Sequence, residues 1–378
     1  MRILMLVTNP CTNDPRVHNE ARALVQAGHR VTVIAWDRYK QTEPLRSDGI
    51  EIVQVRTWLP AGWGLGTVPW HVFHLFSWQW RAYRLALRLH SENSFDAIHC
   101  HDFDTLPVGV ILKRKRSLPL VYDAHELYGY MAMGVAPEWV GRWLMQLEKW
   151  LLVEVDKIVT VSEATKRYFA DITDKPITIV MNCKQLPGID YQPPAGNDGF
   201  TMIYIGLIDK VRALSWLIDV VKQLPDVRCI IGGIGRADYV LAIRNECDNS
   251  PNISFIGEVP FEQVIPLTMK ADCSFLMINP GQPYGRVLLG NKQFEAMACG
   301  RPIICTKGTY SGELTEQEQA GLAVEYTEEA LRQAIIKLRD DPQLREQLGR
   351  NGLKAAVEKY NWPTQAEKLV ALYAALSI

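Results

Sequence analysis

Short apolar segments alternate with longer amphipathic segments along the whole chain. In the first half, the strand-like apolar runs are residues 3–7, 30–35, 51–55, 97–100, 118–122 and 157–161. Helix-length segments, such as residues 16–27 and 106–115, separate most of these runs. Because the strands are apolar along their length, the pattern predicts a parallel sheet covered by helices on both faces.

The pattern is interrupted between residues 184 and 200, where proline, glycine, asparagine and aspartate are concentrated. This composition predicts an interdomain linker. The alternation then resumes, with strand-like runs at residues 201–205, 228–231, 253–256, 273–278 and 303–305. We therefore expect two doubly wound α/β domains, at residues 1–184 and 200–361, with ligands bound in a crevice at the carboxyl ends of the strands.

The last segment, residues 362–378, is predicted to form an amphipathic helix with Pro363 in its first turn. The pattern leaves two placements open for this helix. It either caps the second domain or crosses back to the first.

Composition narrows the class of protein. A formal net charge of −1 gives no reason to expect a nucleic-acid partner. The eight cysteines form no CxxC pair and lie mostly in apolar segments, which favours reduced core residues and a cytoplasmic protein. The chain begins directly with a strand rather than a signal peptide, and no apolar run of about 18 residues predicts a membrane span.

The tryptophans are unevenly distributed, with nine of the eleven in the first half. Several lie within residues 58–80 and 139–150, close to arginines and to the basic run at residues 113–116. This pattern favours a large aromatic core with a solvated basic face. The alternative is an amphipathic surface that contacts a lipid interface.

The most distinctive segment is residues 290–302. Gly290 permits close approach of the backbone to a ligand, and the amides at the start of the following helix form an anion site. Lys292 adds a cation, and Glu295 lies about one helical turn further on. A phosphate cradle beside a carboxylate that binds hydroxyl groups is what a nucleotide-sugar site requires.

Histidine and charged residues follow the strands of the first half. His125 should emerge at the edge of the sheet, where it can bind a sugar hydroxyl or manage a proton. His101 follows another strand, and a structural role there is favoured over a metal site, for which no third ligand is evident. Arg16, in the first strand-to-helix turn, is a candidate for binding a phosphate or an acceptor carboxylate, and helix capping by Asn13 or Asp14 is the alternative.

Two strand ends in the second half resemble parts of phosphate-binding loops. Gly206 ends a strand, and Arg212 follows it at the entry to a helix. One cation there together with Lys292 would neutralise a diphosphate.

The next strand ends in Gly233 and Gly235, but Asp238 stands where a dinucleotide-binding fingerprint has its last glycine. This segment indicates close approach of the backbone to a nucleotide. Gly257 and Glu258, at the end of another strand, are positioned to border a base.

With these residues in place, the chain resembles the family 4-type (group 1) retaining glycosyltransferases of the GT-B fold. The resemblance runs nearly from end to end. It is carried by Asp14-Pro15-Arg16-Val17, residues 122–126 (YDAHE), residues 161–163 (VSE), residues 295–302 (EAMACGRP) and the segment from Trp362 to Tyr373.

The resemblance implies two Rossmann-like domains that face each other across a cleft, with the C-terminal helix crossing back to the first. It implies that the first domain binds the acceptor, with Asp14, Arg16 and His101 as candidates, and that the second binds the donor. The donor would be a UDP- or GDP-type sugar. Transfer would need neither a metal nor a cofactor, because basic residues and helix N-termini hold the diphosphate. The clustering of tryptophan and arginine in the first half, rather than the resemblance, points to a glycan or lipid-linked acceptor, as in polysaccharide biosynthesis, and the cytoplasmic protein would lie at the inner membrane surface if it contacts lipid.

The resemblance also assigns roles to individual residues. Glu295 matches a glutamate that contacts the ribose hydroxyls, and His125 matches the histidine that faces the donor sugar. Arg212 lies where the family commonly has the lysine of its first phosphate loop.

Two positions depart from the family pattern. Val287 stands where the first glutamate of the E-x7-E motif is expected, and Leu207 replaces the usual arginine. Residues 291–295 instead satisfy the N-K-x-x-E pattern of some relatives. The backbone amides near Leu289, Gly290 and Asn291 are therefore expected to replace the missing carboxylate.

Other classes remain as alternatives. A catalytically weak, nucleotide-sugar-binding subunit of a glycan-assembly complex would tolerate the changes at Val287 and Leu207. A sugar-nucleotide epimerase would use a similar site without an acceptor. An NAD-dependent dehydrogenase is disfavoured, because the first strand-to-helix turn lacks the glycine fingerprint.

Overall fold

A computed structural model describes residues 1–12, 14–38, 45–47, 49–58, 68–133, 136–186, 188–194 and 199–376. The chain divides into two compact units, Met1–Met181 with Gln365–Ile378, and Asn182–Thr364. Asn13 and part of the predicted linker, residues 187 and 195–198, lie outside the described residues.

The first unit is built on a predominantly parallel sheet, in the order β3-β4-β2-β1-β5-β6-β7-β8, with only β3 antiparallel to its neighbour. Its strands are β1 (Arg2–Leu6), β2 (Arg30–Trp36), β3 (Leu45–Ser47), β4 (Ile50–Val55), β5 (Ala97–His101), β6 (Leu120–Ala124), β7 (Lys157–Thr160) and β8 (Ile177–Ile179). Strands β1, β5 and β6 are buried almost throughout, as expected for a sheet covered on both faces.

Helices connect these strands, and the C-terminal helix joins the same unit. They are α1 (Pro15–Gln26), α2 (Val68–Asn93), α3 (Leu106–Arg116), α4 (Tyr128–Met133), α5 (Glu138–Leu152), α6 (Glu163–Ala170) and the last helix of the chain, α15 (Trp362–Ala374). The start of α1 follows from its sequence, because the Asp14 side chain accepts hydrogen bonds from the amides of Arg16 and Val17, and Pro15 occupies the first turn.

The second unit is built on a parallel sheet in the order β11-β10-β9-β12-β13-β14. Its strands are β9 (Phe200–Ile208), β10 (Val227–Gly235), β11 (Ile253–Gly257), β12 (Cys273–Leu276), β13 (Ile303–Thr306) and β14 (Gly321–Val324). Its helices are α7 (Leu214–Lys222), α8 (Ala237–Asp248), α9 (Phe261–Lys270), α10 (Pro283–Val287), α11 (Asn291–Ala298), α12 (Tyr310–Gln317), α13 (Glu328–Asp340) and α14 (Pro342–Glu358), with a short 3₁₀ turn at Lys210–Arg212.

The expected pair of doubly wound α/β units is confirmed, and most predicted strands are present. The sequence pattern missed β3, β8 and β14, which are short and lie at the edge of a sheet. It also ended β9 and β10 too early. Their parallel register continues through Gly206 and Gly233, which lack the apolar side chains that marked the strands.

The C-terminal helix resolves the choice between a cap and a crossover. From Gln365 onward it belongs to the first unit, and the Tyr373 side chain is fully buried there. The crossing helix expected from the resemblance is therefore confirmed.

The tryptophans do not form the expected large aromatic core. Trp36 and Trp78 are fully buried, but all the other described tryptophans of the first unit are exposed, namely Trp58, Trp70, Trp80, Trp139, Trp143 and Trp150. All eight cysteines are buried and none forms a disulfide. Among the described residues, no helix has the length and apolarity needed to cross a membrane.

Candidate functional site

Among the basic residues that the structure describes in the second unit, Lys292 has the most strongly shifted pKa. It lies in the first turn of α11, is only 9% exposed, and places its Nζ 4.3 Å from the centre of the Tyr204 ring. Burial, followed by the nearby charge of Arg212, lowers the pKa of Lys292 from 10.5 to about 7. A desolvated ammonium group next to another cation is a site that an anion would stabilise.

Arg212 supplies that second cation. It ends the 3₁₀ turn after β9, where the Asp209 side chain accepts a hydrogen bond from the amide of Val211. Arg212 is 7% exposed, and its Nε lies 3.9 Å from Asp209 Oδ2 but makes no hydrogen bond within the described part of the chain. Two buried cations, one of them with an unpartnered Nε, match the charge of a diphosphate.

The N-terminus of α11 adds backbone donors to this site. Gly290 is the N-cap residue, and no side chain caps the helix there. The first amides of the helix therefore supply donors with a partial positive charge beside Lys292. The side chain of Asn291 is held by Asn182, whose Nδ2 donates to Asn291 Oδ1 at 2.9 Å.

Glu295 lies one turn further along α11, largely buried and paired with Lys184. The distance from Lys184 Nζ to Glu295 Oε1 is 3.3 Å, and Lys184 Nζ also lies 4.4 Å from the centre of the Phe261 ring. The composition of residues 184–200 predicted a linker that begins at Lys184. Its contact with Glu295 brings together residues far apart in the chain, so no local pattern could indicate it.

Glycines at the ends of β9 and β10 bring two backbones close together. Gly206 and Gly233 pair in register and have φ values of 148° and 139°. A Cβ at Gly233 would lie 1.7 Å from the Gly206 oxygen, and a Cβ at Gly206 would lie 2.2 Å from Lys292 Nζ. The glycines therefore permit both the strand pairing and the position of the lysine.

The neighbouring glycines extend this edge. A Cβ at Gly235 would lie 2.1 Å from the Ile208 oxygen, whereas Gly257 at the end of β11 has φ 70° and faces open space. Glu258, next in the chain, is exposed. At these ends of β10 and β11, backbone polar groups and the Glu258 carboxylate are available to a ligand.

Leu207 gives the same edge an apolar character. Leu207 is 47% exposed and pairs in register with Ile234 of β10. Ile234 is also exposed, as is Ile256 near the end of β11. The position where the family commonly has an arginine is thus part of an apolar surface. Val287, at the end of α10, is half-buried.

The first unit contains a buried ionic cluster centred on Asp123, at the end of β6. Arg16 Nη2 lies 2.7 Å from Asp123 Oδ1 and 3.0 Å from Glu20 Oε1, and Arg16 Nη1 donates to the Val180 oxygen at 2.8 Å. Arg16 is almost fully buried, so its guanidinium group is used within the protein. Burial alone would raise the pKa of Asp123, but the charges of Arg16 and His125 and the hydrogen bonds from His101 and His125 together outweigh this effect and hold that pKa well below its ordinary value.

His125 is held between two carboxylates. Its Nε2 lies 2.8 Å from Asp123 Oδ2, and its Nδ1 lies 3.2 Å from Asp102 Oδ2. Burial lowers the pKa of His125, but the charges of Asp102 and Asp123 outweigh it and hold the pKa well above its ordinary value. The imidazole is therefore a charged hydrogen-bond donor at neutral pH.

His101 and His99 lie beneath His125. The Nδ1 of His101 is 3.2 Å from Asp123 Oδ2, and the Nδ1 of His99 is 2.8 Å from the hydroxyl oxygen of Tyr373. Burial lowers the pKa of both histidines, that of His99 to about 4. Both are fully buried and therefore neutral at pH 7.

Four of these buried side chains have the composition of a metal site. One ligand atom each from Glu20, His99, His101 and Asp123 lie within 4.8 Å of one another. However, Arg16 contacts both carboxylates, and its positive charge opposes a second cation at this position.

Comparison with known proteins agrees with this geometry. Residues 14–182 match the family described as "Glycosyl transferase 4-like domain", and residues 190–355 match "Glycosyl transferases group 1". The chain belongs to the family 4-type, group 1 glycosyltransferases. The glycosyltransferase is 26% identical over 293 residues to an uncharacterized glycosyltransferase of Methanocaldococcus jannaschii, covering 77% of this chain and 78% of that protein.

Solved structures establish the fold as GT-B. A sucrose-phosphate synthase from Thermosynechococcus elongatus has a TM-score of 0.79 at 19% identity, with 100% of this chain and 99% of that chain covered. HepE from Anabaena, solved in complex with UDP-glucose, has a TM-score of 0.74 at 18% identity, covering 99% of this chain and 100% of that chain.

Most polar residues of these two clusters were predicted as site residues from the sequence, but several of their partners were not. In the second unit these are Lys184 and Tyr204, and in the first unit Glu20, Asp123 and Tyr373. Glu20, Asp123 and Tyr373 lie within or beside the segments that carry the family resemblance. The resemblance was therefore the only available signal for them.

Proposed function

We propose that the glycosyltransferase moves a sugar from a UDP- or GDP-type donor to a glycan or lipid-linked acceptor, with retention of anomeric configuration and without a metal. The second domain, residues 200–361, binds the donor. The first domain, residues 1–184 with the crossing helix 362–378, binds the acceptor. The reaction belongs to glycan assembly at the cytoplasmic side of a membrane. The arrangement of Lys292, Arg212 and Gly206 is the observation that carries this proposal.

The diphosphate is the best-supported part of the proposed ligand. The two buried cations and the first amides of α11 converge on the end of β9. In the transfer step, the bond between the anomeric carbon and the phosphate oxygen breaks, and negative charge develops on the leaving diphosphate. Lys292, Arg212 and the helix amides stabilise this charge and so lower the barrier. The acceptor's hydroxyl oxygen forms the new bond to the anomeric carbon on the face that the diphosphate leaves, and its proton passes to the diphosphate oxygen.

The rest of the donor is assigned to neighbouring groups. Glu295, held by Lys184, accepts hydrogen bonds from the ribose hydroxyls. The base lies along the ends of β10 and β11, at Gly233, Gly235 and the Gly257-Glu258 turn. Amides of Leu289, Gly290 and Asn291 bind the sugar hydroxyls in place of the carboxylate absent at Val287.

The first domain supplies His125 and its supporting cluster. Because both ring nitrogens of His125 face carboxylates, of Asp102 and Asp123, that keep the imidazole charged, we assign it as a fixed positive charge facing the donor sugar rather than as a base. Arg16 and His101 are buried, so they serve the acceptor side by positioning Asp123 and, through it, His125. Asp14, half-buried at the N-cap of α1, is the proposed direct acceptor contact.

A panel of UDP, GDP and ADP sugars tests the assignment. The purified protein should bind at least one UDP or GDP sugar by calorimetry and hydrolyse it slowly without an acceptor. NMR should show that the sugar is first released with the donor's anomeric configuration. Release with inverted configuration would contradict the retaining assignment, and a lack of both binding and hydrolysis would contradict the function itself.

One observation favours a second candidate, a catalytically weak binding subunit of a glycan-assembly complex. Leu207 presents an exposed apolar side chain where the family commonly has an arginine, and Val287 lacks a carboxylate. Such a subunit would show a thermal shift with nucleotide sugars but no turnover. An epimerase would instead convert the donor sugar when no acceptor is present.

A further inference from the structure

Helix α5 carries three exposed tryptophans on its outer face. Trp139 is 70% exposed, and Trp143 and Trp150 are each 58% exposed. Their spacing of four and seven residues places them on one side of the helix, opposite the buried Leu151 and Leu152. A helix that is apolar on its solvent side as well as on its core side indicates a surface that something else covers.

Helix α2 has a similar outer stripe. Phe73, Phe76 and Trp80 are exposed and follow one another at intervals of three and four residues. Helix α3 packs against both α2 and α5, so the three helices form one layer of the first unit. We give the name aromatic face to six exposed aromatic residues of this layer: Phe73, Phe76, Trp80, Trp139, Trp143 and Trp150.

Basic side chains border the aromatic face. Arg84 and Arg88 continue the stripe on α2, and the Arg84 guanidinium lies 5.1 Å from the centre of the Trp80 ring. The C-terminal turn of α3 and the flank of α5 add further exposed cations, namely Arg114, Lys115, Arg116, Arg142 and Lys149. The Arg114 guanidinium lies 5.7 Å from the Trp150 ring centre.

Few acidic groups offset these cations. Glu154 pairs with Arg114 at 2.8 Å, and Glu138 pairs with Arg142 at 2.7 Å. Across the ranges that the structure describes, Lys115, Arg116 and Lys149 form no ion pair with a carboxylate. The border of the aromatic face is therefore positive.

We propose that the aromatic face docks on the surface of an anionic lipid bilayer. Tryptophan rings prefer the headgroup level, where an apolar ring and a polar N–H are both satisfied. The basic border would then lie at the height of the lipid phosphates. A second copy of the chain is a poorer occupant, because symmetric packing of this face would bring two positive borders together.

This proposal does not rest on the proposed function. The lipid surface is assigned to the first unit, whereas the donor-binding groups lie in the second. Lipid binding and nucleotide-sugar binding can therefore be measured separately, and the failure of one assay would leave the other interpretable.

Vesicle flotation provides the test, with vesicles of phosphatidylcholine alone and with about a third phosphatidylglycerol. The wild-type chain should float with the anionic vesicles, and less so at high salt because salt screens the basic border. The triple variant Trp139→Ser, Trp143→Ser, Trp150→Ser should lower the partition coefficient by about tenfold or more. Leu241→Ser, at an exposed apolar residue of α8 in the second unit, is the matched control and should bind as the wild type does.

Several further outcomes decide the proposal. The double variant Lys115→Glu, Arg116→Glu should weaken binding to the anionic vesicles but not to the phosphatidylcholine vesicles, because its effect is electrostatic. The proposal is wrong if wild-type protein does not float with anionic vesicles, or if the triple tryptophan variant floats equally well while keeping its fold by circular dichroism. It is also wrong if light scattering shows that the tryptophan changes only convert a dimer to a monomer, which would make the aromatic face an interface between copies.

Discussion

Binding of a nucleoside diphosphate should take up a proton at Lys292. In the unliganded protein, burial and the charge of Arg212 lower the Lys292 pKa to about 7, so about half of the side chains are charged at pH 7. A bound diphosphate stabilises the charged form and raises that pKa. As pH rises above 7, the free protein loses the proton that the complex requires, and affinity must fall.

The size of the effect follows from the free-protein pKa. With a pKa of about 7, roughly half of the Lys292 side chains are protonated at pH 7 but only about 3% at pH 8.5. If the pKa in the complex lies above this range, the affinity for UDP or GDP falls about fifteenfold, or about 1.6 kcal/mol. At pH 8 about 0.9 proton is taken up for each ligand bound.

Isothermal titration calorimetry in buffers of different ionisation enthalpy measures both quantities. Lys292→Arg keeps a positive charge across this range, so its affinity should not depend on pH. Lys292→Met should bind weakly at every pH and without proton uptake. Lys337→Met, at an exposed residue of α13, should behave as the wild type does. Affinity that is constant from pH 7 to about 8.5 in the wild type, with no proton uptake, would refute the reasoning.

The same pKa shift affects the stability of the unliganded protein. Between pH 7 and the ordinary lysine pKa of 10.5, the unfolded chain binds a proton at Lys292 that the folded chain does not. The contribution of Lys292 to the free energy of unfolding therefore rises with pH. Relative to Lys292→Met, the wild type should gain stability as pH increases over this range, and urea denaturation measures the difference.

Three further substitutions test other parts of the structure. Gly233→Ala places a Cβ 1.7 Å from a backbone oxygen of the neighbouring strand and should lower the free energy of unfolding by about 2–4 kcal/mol in urea denaturation. The control Gly188→Ala adds a Cβ in open space and should change this free energy little. Tyr373→Phe removes the partner of His99 and should lower the free energy of unfolding by about 1–3 kcal/mol; an unchanged value would show that this hydrogen bond contributes nothing. Glu295→Gln should weaken UDP or GDP binding about 10- to 100-fold by calorimetry, and equal affinity would contradict the ribose contact.

The fold was predictable from sequence because its determinants are local. The run at residues 3–7, for example, is apolar along its length, and that property indicates a strand buried in a parallel sheet. Where a glycine interrupts the apolar run, as Gly206 does in β9, the local pattern gave no basis for extending the strand. The placement of the C-terminal helix depends on burial of Tyr373 in another part of the chain, which periodicity does not specify.

The candidate site was predictable only in part. Gly290, Lys292 and Glu295 stand close in sequence on one helix, so a local pattern could identify them. Lys184 and Tyr204 reach the same helix from distant segments. The outward tryptophans of α5 illustrate a different limit, because hydrophobic periodicity assigns such residues to a core and cannot distinguish the second, exposed face of a helix that is apolar on both sides.

Donor turnover is the measurement that tests the account most directly. Purified wild-type protein and Lys292→Met are incubated with UDP, GDP and ADP sugars, and NMR follows release of the sugar. The account predicts that the wild type releases sugar from at least one UDP or GDP donor, first with retained configuration, and that Lys292→Met releases it at least about a hundredfold more slowly. Equal rates in the two proteins, or no binding and no release from any donor, would contradict it.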